Sequence, residues 1–265
     1  MKISRILLAL TVAVSPLYSL AAVTIGVDKA ELITDLVPGQ KRVLKLQVTN
    51  SGTEATPITV YPEDWQIRAG EPDFNNKTHP RALGNRVTVS PSSFDLAPGA
   101  AKEVTVVLDP GSGPFDAGSY WSAVLVQSSR LAPTTAGTDN HATQMRIVER
   151  IAVLVFADSA PESKPLPADV SITGIKRTAE GLGVMVNNPS AYMRLISSTA
   201  LSITPLSGGD TVRVPVRSFH LLPGCNQELN IRLPNDVAGL GRTSVMAAID
   251  YGAKDLVVGD ARLTF

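Results

Sequence analysis

The sequence has a single cysteine, Cys225, and three widely separated histidines, His79, His141 and His220. One thiol cannot form an intramolecular disulfide, and histidines so scattered give no metal-ligand spacing. Charge of one sign is also missing: 24 basic residues face 24 acidic ones among 265, for a net charge of zero. No basic footprint for nucleic acid and no polybasic membrane patch follows from that balance. Aromatic residues make up only 5% of the chain. After the first 21 residues no apolar run approaches the ~20 residues that cross a bilayer, so no integral membrane segment is expected in the mature chain. The sequence holds no G-x-S-x-G elbow, Walker A loop, H-E-x-x-H or C-x-x-C. It therefore reads as a non-enzyme, with no catalytic residues, metal or cofactor expected.

What the sequence does have is apolar content, 44% hydrophobic residues, which excludes intrinsic disorder. Residues 1–21 read as a secretory signal peptide. Lys2 and Arg5 form its positive start, residues 6–14 (ILLALTVAV) its apolar stretch, and Ser19 and Ala21 the small residues before the cleavage point. The mature chain is expected to be exported. No cysteine follows the cleavage point, so no lipid anchor is indicated.

Beyond residue 22 a period of two dominates, which is the signal of half-buried strands. It covers residues 42–50, 57–65, 102–108, 119–128 and 144–157, and in the second half 170–175, 182–187, 201–205, 211–222, 228–233, 243–251 and 261–265. Twenty glycines and 19 prolines punctuate the strands. One signature recurs three times: Leu36-Val37-Pro38-Gly39, Leu96-Ala97-Pro98-Gly99 and Leu221-Leu222-Pro223-Gly224. Counted from each proline, positions +6, +8 and +10 are always apolar: Leu44, Leu46, Val48; Val104, Val106, Leu108; Leu229, Ile231, Leu233. Pro then Gly suits the centre of a type II turn, because Pro fixes φ and Gly accepts a positive one. The turn sets a register that sends every second side chain inward. Two copies precede residues 158–167 (DSAPESKPLP), and one follows them. That proline-rich stretch has linker composition. The expectation is all-β: two immunoglobulin-like β-sandwich domains, at residues 22–161 and 166–265.

Polar constellations are few. Asp139-Asn140-His141 reads as a polar loop, since no nucleophile accompanies it. Glu63 and Asp64 adjoin on a strand and would face opposite sides. Cys225 follows the third Pro-Gly and reads as a half-buried structural cysteine.

Several short marks follow one another along some 240 residues: Val48-Thr49-Asn50-Ser51-Gly52, then residues 90–99 (SPSSFDLAPG), the apolar stretch 144–156 (QMRIVERIAVLVF), Val186-Asn187-Asn188-Pro189, Leu221-Leu222-Pro223-Gly224 and Ile249-Asp250-Tyr251-Gly252. Their order resembles the periplasmic chaperones of the chaperone/usher pilus pathway, which makes the periplasm the expected location. The resemblance implies a chaperone that lends the last strand of its first domain to an unfinished, secreted pilin-like subunit, with an outer-membrane usher as a further partner. Backbone hydrogen bonds would then supply affinity and alternating side chains specificity. Here that strand would be residues 144–156, with Met145, Ile147 and Ile151 on one parity and Glu149 interrupting the apolar run. The family grips the subunit's terminal carboxylate with an arginine and a lysine. Those positions are matched by Glu31 and Ala152. Lys29 and Arg150 each lie two residues earlier, a step that keeps the same strand face. They are the candidate replacements, the alternative being two ordinary solvated charges. Met145, Ile147, Lys29 and Arg150 are thus the candidate partner-binding residues. The competing reading is an exported structural or adhesion scaffold with the same domains and no capture site.

Overall fold

The computed structural model describes residues 24–68, 71–74, 79–131, 146–162, 166–167, 169–237 and 239–265. The signal segment, Asp139-Asn140-His141 and Met145 lie outside them. Each Leu-x-Pro-Gly segment forms the expected turn. Gly39, Gly99 and Gly224 take φ of 73°, 71° and 64°. The bond that closes each turn joins Gln40 N to Val37 O at 3.0 Å, Ala100 N to Ala97 O at 3.0 Å and Cys225 N to Leu222 O at 3.3 Å. The leading leucines, Leu36, Leu96 and Leu221, are all buried.

The first half contributes β1 (Ile25–Val27), β2 (Glu31–Asp35), β3 (Arg42–Asn50), β4 (Thr56–Glu63), β5 (Gln66–Arg68), β6 (Glu71–Asp73), β7 (Val87–Ser90), β8 (Ser93–Leu96), β9 (Ala101–Leu108), β10 (Ser119–Leu131) and β11 (Arg146–Asp158). Two sheets face each other, ordered β1-β3-β9-β7 and β2-β11-β10-β4-β8. The chain changes sheet between β1 and β2, at residues 28–30. Alternation on β3 and β9 buries Leu46, Val48, Val104, Val106 and Leu108 against Val124, Val126, Val153 and Val155 of the opposite sheet.

The second half contributes β12 (Ser171–Arg177), β13 (Gly181–Asn188), β14 (Arg194–Ile196), β15 (Ser198–Pro205), β16 (Val212–Val216), β17 (Phe219–Leu221), β18 (Cys225–Arg232), β19 (Arg242–Asp250) and β20 (Val257–Thr264). Its sheets are β12-β13-β18 and β16-β15-β19-β20, with β14 and β17 paired apart from both. Its core holds Leu182, Val184, Val186, Leu201, Ile203, Val245, Ala247 and Ile249. The protein is all-β, built as two immunoglobulin-like sandwiches. One expected strand, residues 211–222, is divided. The chain leaves β15 after Val216 and re-pairs with β14 as β17, so one alternating stretch serves two ladders.

A polar device repeats in both sandwiches. The buried Asn50 donates its Nδ2 to Glu54 O and Leu96 O, and its Oδ1 accepts from Gly52 N. Asn188 does the same: Nδ2 to Tyr192 O, Leu221 O and Leu222 O, with Oδ1 accepting from Ser190 N. In each half an asparagine at a strand end ties its own following turn to a Leu-x-Pro-Gly segment.

Candidate functional site

β11 is the strand on which the sequence reading placed the site. Its 13 residues pair antiparallel with β10 from end to end, Arg146 opposite Leu131 and Asp158 opposite Ser119. Its other side is covered only in part. β2 pairs with it in parallel from Glu31 opposite Leu154 to Asp35 opposite Asp158. Along residues 146–153 no strand of the described residues pairs on that side. Backbone N–H and C=O groups on such an edge are free to take up another strand.

The two parities of β11 do different things. Ile147, Glu149 and Ile151 are half-buried and continue into the buried Val153, Val155 and Ala157. Glu149 breaks an otherwise apolar series because it is held from within. Its Oε2 accepts from Thr24 N at 3.0 Å and Thr24 Oγ1 at 2.8 Å, and its Oε1 lies 3.5 Å from Arg130 Nη2. Three donors offset the cost of a partly buried carboxylate. On the other parity Arg146, Val148 and Arg150 are exposed. Ala152, Leu154 and Phe156 then run under the second sandwich, in a cluster with Trp65, Trp121 and Leu222.

Lys29 and Arg150 serve different neighbours. Arg150 donates through Nε and Nη2 to Gln127 Oε1, at 3.1 and 2.7 Å. Lys29 lies at the sheet change and donates from Nζ to Lys45 O at 2.9 Å, with Asp28 Oδ2 3.8 Å away. β2 and β11 are parallel, but Leu154 lies opposite Glu31. Lys29 is two residues before Glu31 and Arg150 four before Leu154, so the cations are two residues out of step, about 6–7 Å along the strands. The structure leaves them apart. Ile147 sits on the open stretch of the edge, half-buried.

Sequence reasoning missed the partner of Glu31. His220 Nε2, from the second sandwich, lies 3.2 Å from Glu31 Oε2, close enough to pair but misaligned for a hydrogen bond. The imidazole also packs on Phe156, ring centroids 4.8 Å apart. Burial pushes its pKa below the usual histidine value, and Glu31 pulls the other way. Glu31 and His220 stand in different domains, and no local pattern could have joined them. The junction is tight elsewhere too. Ser119 N donates to Ala191 O, and Met193 N donates to Ser119 Oγ, both at 2.9 Å. Gly118 has φ of 130°, and a Cβ there would fall 2.2 Å from Ala191 O. Cys225 is half-buried beside this cluster, and burial raises its thiol pKa, as suits a structural residue.

No protein-family model matches the chain, and no curated protein matches it. Solved structures do resemble it in fold. The YadV chaperone is 13% identical with a TM-score of 0.48, over 91% of this chain and 100% of that one. The complex of the Salmonella enterica SafA pilin with the SafB chaperone matches at 12% identity and a TM-score of 0.44, over 93% and 99%. The CsuC–CsuE chaperone–tip adhesion subunit complex of Acinetobacter baumannii matches at 10% identity and a TM-score of 0.47, over 89% and 98%.

Proposed function

We propose that the chain is a periplasmic chaperone that holds a secreted pilin-like subunit on the open edge of β11, with an outer-membrane usher as its onward partner. The domains divide as residues 22–161 and 166–265, after a cleaved signal segment, 1–21. The observation that carries this reading is the one-sided pairing of β11 over residues 146–153, on the strand where the sequence resembles the donor strand of such chaperones. An added strand there would satisfy the open backbone groups and bury Ile147 and Ile151, with apolar burial contributing ~25 cal/mol per Å². Met145 belongs to the same parity by sequence. Arg150, already oriented by Gln127, would face an anionic group of the subunit, and Lys29 would lie further along the cleft.

Co-expression with candidate secreted subunits tests the reading. Ile147→Lys should abolish co-purification while leaving the thermal transition of the free protein nearly unchanged. Arg150→Glu should weaken the complex and make the remaining affinity sensitive to salt. If Ile147→Lys unfolds the first domain, the residue belongs to the core and the donor strand is misassigned. If neither substitution affects any subunit, the scaffold reading replaces this one.

A further inference from the structure

A second open edge lies in the other sandwich. Among the described residues, β18 closes the three-stranded sheet and pairs with β13 alone. Among the same residues, β16 closes the four-stranded sheet and pairs with β15 alone. Between them is a cavity of about 450 Å³, lined by both strands. β18 alternates into the interior: Gln227, Leu229 and Ile231 are 5%, 9% and 7% exposed. Leucine and isoleucine there are ordinary core residues, but Gln227 is not. Its Oε1 is buried and accepts no hydrogen bond from any described residue. A buried acceptor without a donor is destabilising, and Gln227 also lines the cavity, so an N–H or O–H brought in there would relieve it.

The rim carries a second asymmetry. Arg217 and Arg232 line the cavity and are exposed, and no carboxylate of the described residues pairs with either. Glu228, also in the lining, is taken by Lys176 at 3.0 Å. Positive charge at the mouth is therefore left uncompensated.

We propose that the β18 edge takes up an extended segment of a partner chain in which apolar and acidic side chains alternate. This site is separate from the β11 edge and does not depend on it. Backbone pairing would run along β18, because Pro215 deprives β16 of one N–H. Inward apolar side chains would fill the cavity between Val216 and the pair Leu229 and Ile231. A donor of the segment would reach Gln227 Oε1. The acidic side chains, on the other parity, would meet Arg217 and Arg232.

The probe is a short capped peptide alternating valine with glutamate, titrated into the full mature chain and followed by amide hydrogen exchange. Binding should slow exchange along β18. It should weaken about tenfold when Arg217→Glu and Arg232→Glu are combined, since each exposed ion pair contributes modestly. Both arginines are exposed, so the variant's melting should match the parent's. Gln227→Leu should raise the melting temperature of the free protein, by removing the orphaned oxygen, and lower the affinity for the peptide. Ile147→Lys should leave the peptide's affinity unchanged, which separates this site from the proposed subunit edge. The proposal is overturned if the peptide does not bind at millimolar concentration, if a valine–lysine counterpart binds equally well, or if protection appears at residues 146–153 instead of β18.

Discussion

Asn50 and Asn188 show how much one side chain can hold. Asn188 is fully buried, and its amide answers three carbonyls, those of Tyr192, Leu221 and Leu222. Asn188→Ala takes that donor from all three, although Leu222 O keeps its turn bond from Cys225 N. Each unsatisfied buried group costs ~1–3 kcal/mol, and partial relaxation reduces the sum. A loss of about 2–4 kcal/mol is expected in urea unfolding, and Asn188→Leu should fare no better. A loss below about 1 kcal/mol would mean that the Pro-Gly turn holds itself. Glu149 is the same kind of residue with a charge. Glu149→Ile would restore the apolar alternation of β11 but would free Thr24 N and deprive Arg130 of its partner. The free protein should lose about 1–2 kcal/mol, and the Thr24 amide should exchange faster. Unchanged exchange at Thr24 would show that the glutamate does not secure the start of the first sandwich.

At the scale of elements, the strands that follow a Leu-x-Pro-Gly turn were the legible ones. β3, β9 and β18 fall where the three repeats place them, because a fixed turn dictates both where a strand starts and which parity faces inward. β11 was legible as a long apolar strand, and its contrasting parities were visible in residues 144–156. What the sequence could not tell is where pairing stops. β1, β2, β14 and β17 have three to five residues each, too few to display a period. The parallel partner of β11 and its two-residue offset from the expected cation pair are matters of register between distant segments. No spacing within one segment encodes that. The start of β10 shows a further hidden constraint. Gly118 looks like a turn residue in sequence, yet it is a point where the two sandwiches approach too closely for a side chain. Gly118→Val would force a side chain onto Ala191 O at a φ that β-branched residues avoid. The backbone there must shift, and the hydrogen bonds of Ser119 to Ala191 and Met193 go with it. Calorimetry should show one transition for the parent, with its sandwiches coupled, and two for the variant, with an overall loss of about 2–3 kcal/mol. One unsplit transition at the parent's temperature would show that the sandwiches are coupled by other means.

At the scale of the whole molecule, the contact that most directly ties stability to solution conditions is Glu31 with His220. The first residue belongs to β2 and the second to β17, so the pair spans the junction. In the unfolded chain His220 titrates near 6.5, whereas in the folded chain burial holds it lower despite Glu31. Below about pH 6.5 the unfolded chain therefore binds more protons than the folded one. Stability should fall as pH drops from 7.5, and this contribution should level off once the folded histidine is also charged. His79 adds in the same direction, lowered first by burial and then by Arg81. Carboxylates act elsewhere on the scale. Asp35, held down to about 2 by its hydrogen bond with Arg42, contributes above the ordinary carboxylate range and loses that contribution only as pH falls towards 2. Between pH 7.5 and 5.5 the histidines should therefore dominate. Urea midpoints measured across that interval should decline for the parent. His220→Phe, which keeps the packing against Phe156, should flatten the decline and leave the part due to His79. Glu31→Gln should steepen it, because the folded histidine then loses the nearby charge that favours its protonation. Parallel curves for the parent and His220→Phe would remove the histidine at the junction from the account of acid stability. They would leave the buried cluster of Trp121, Phe156 and Leu222 as the main bond between the two sandwiches.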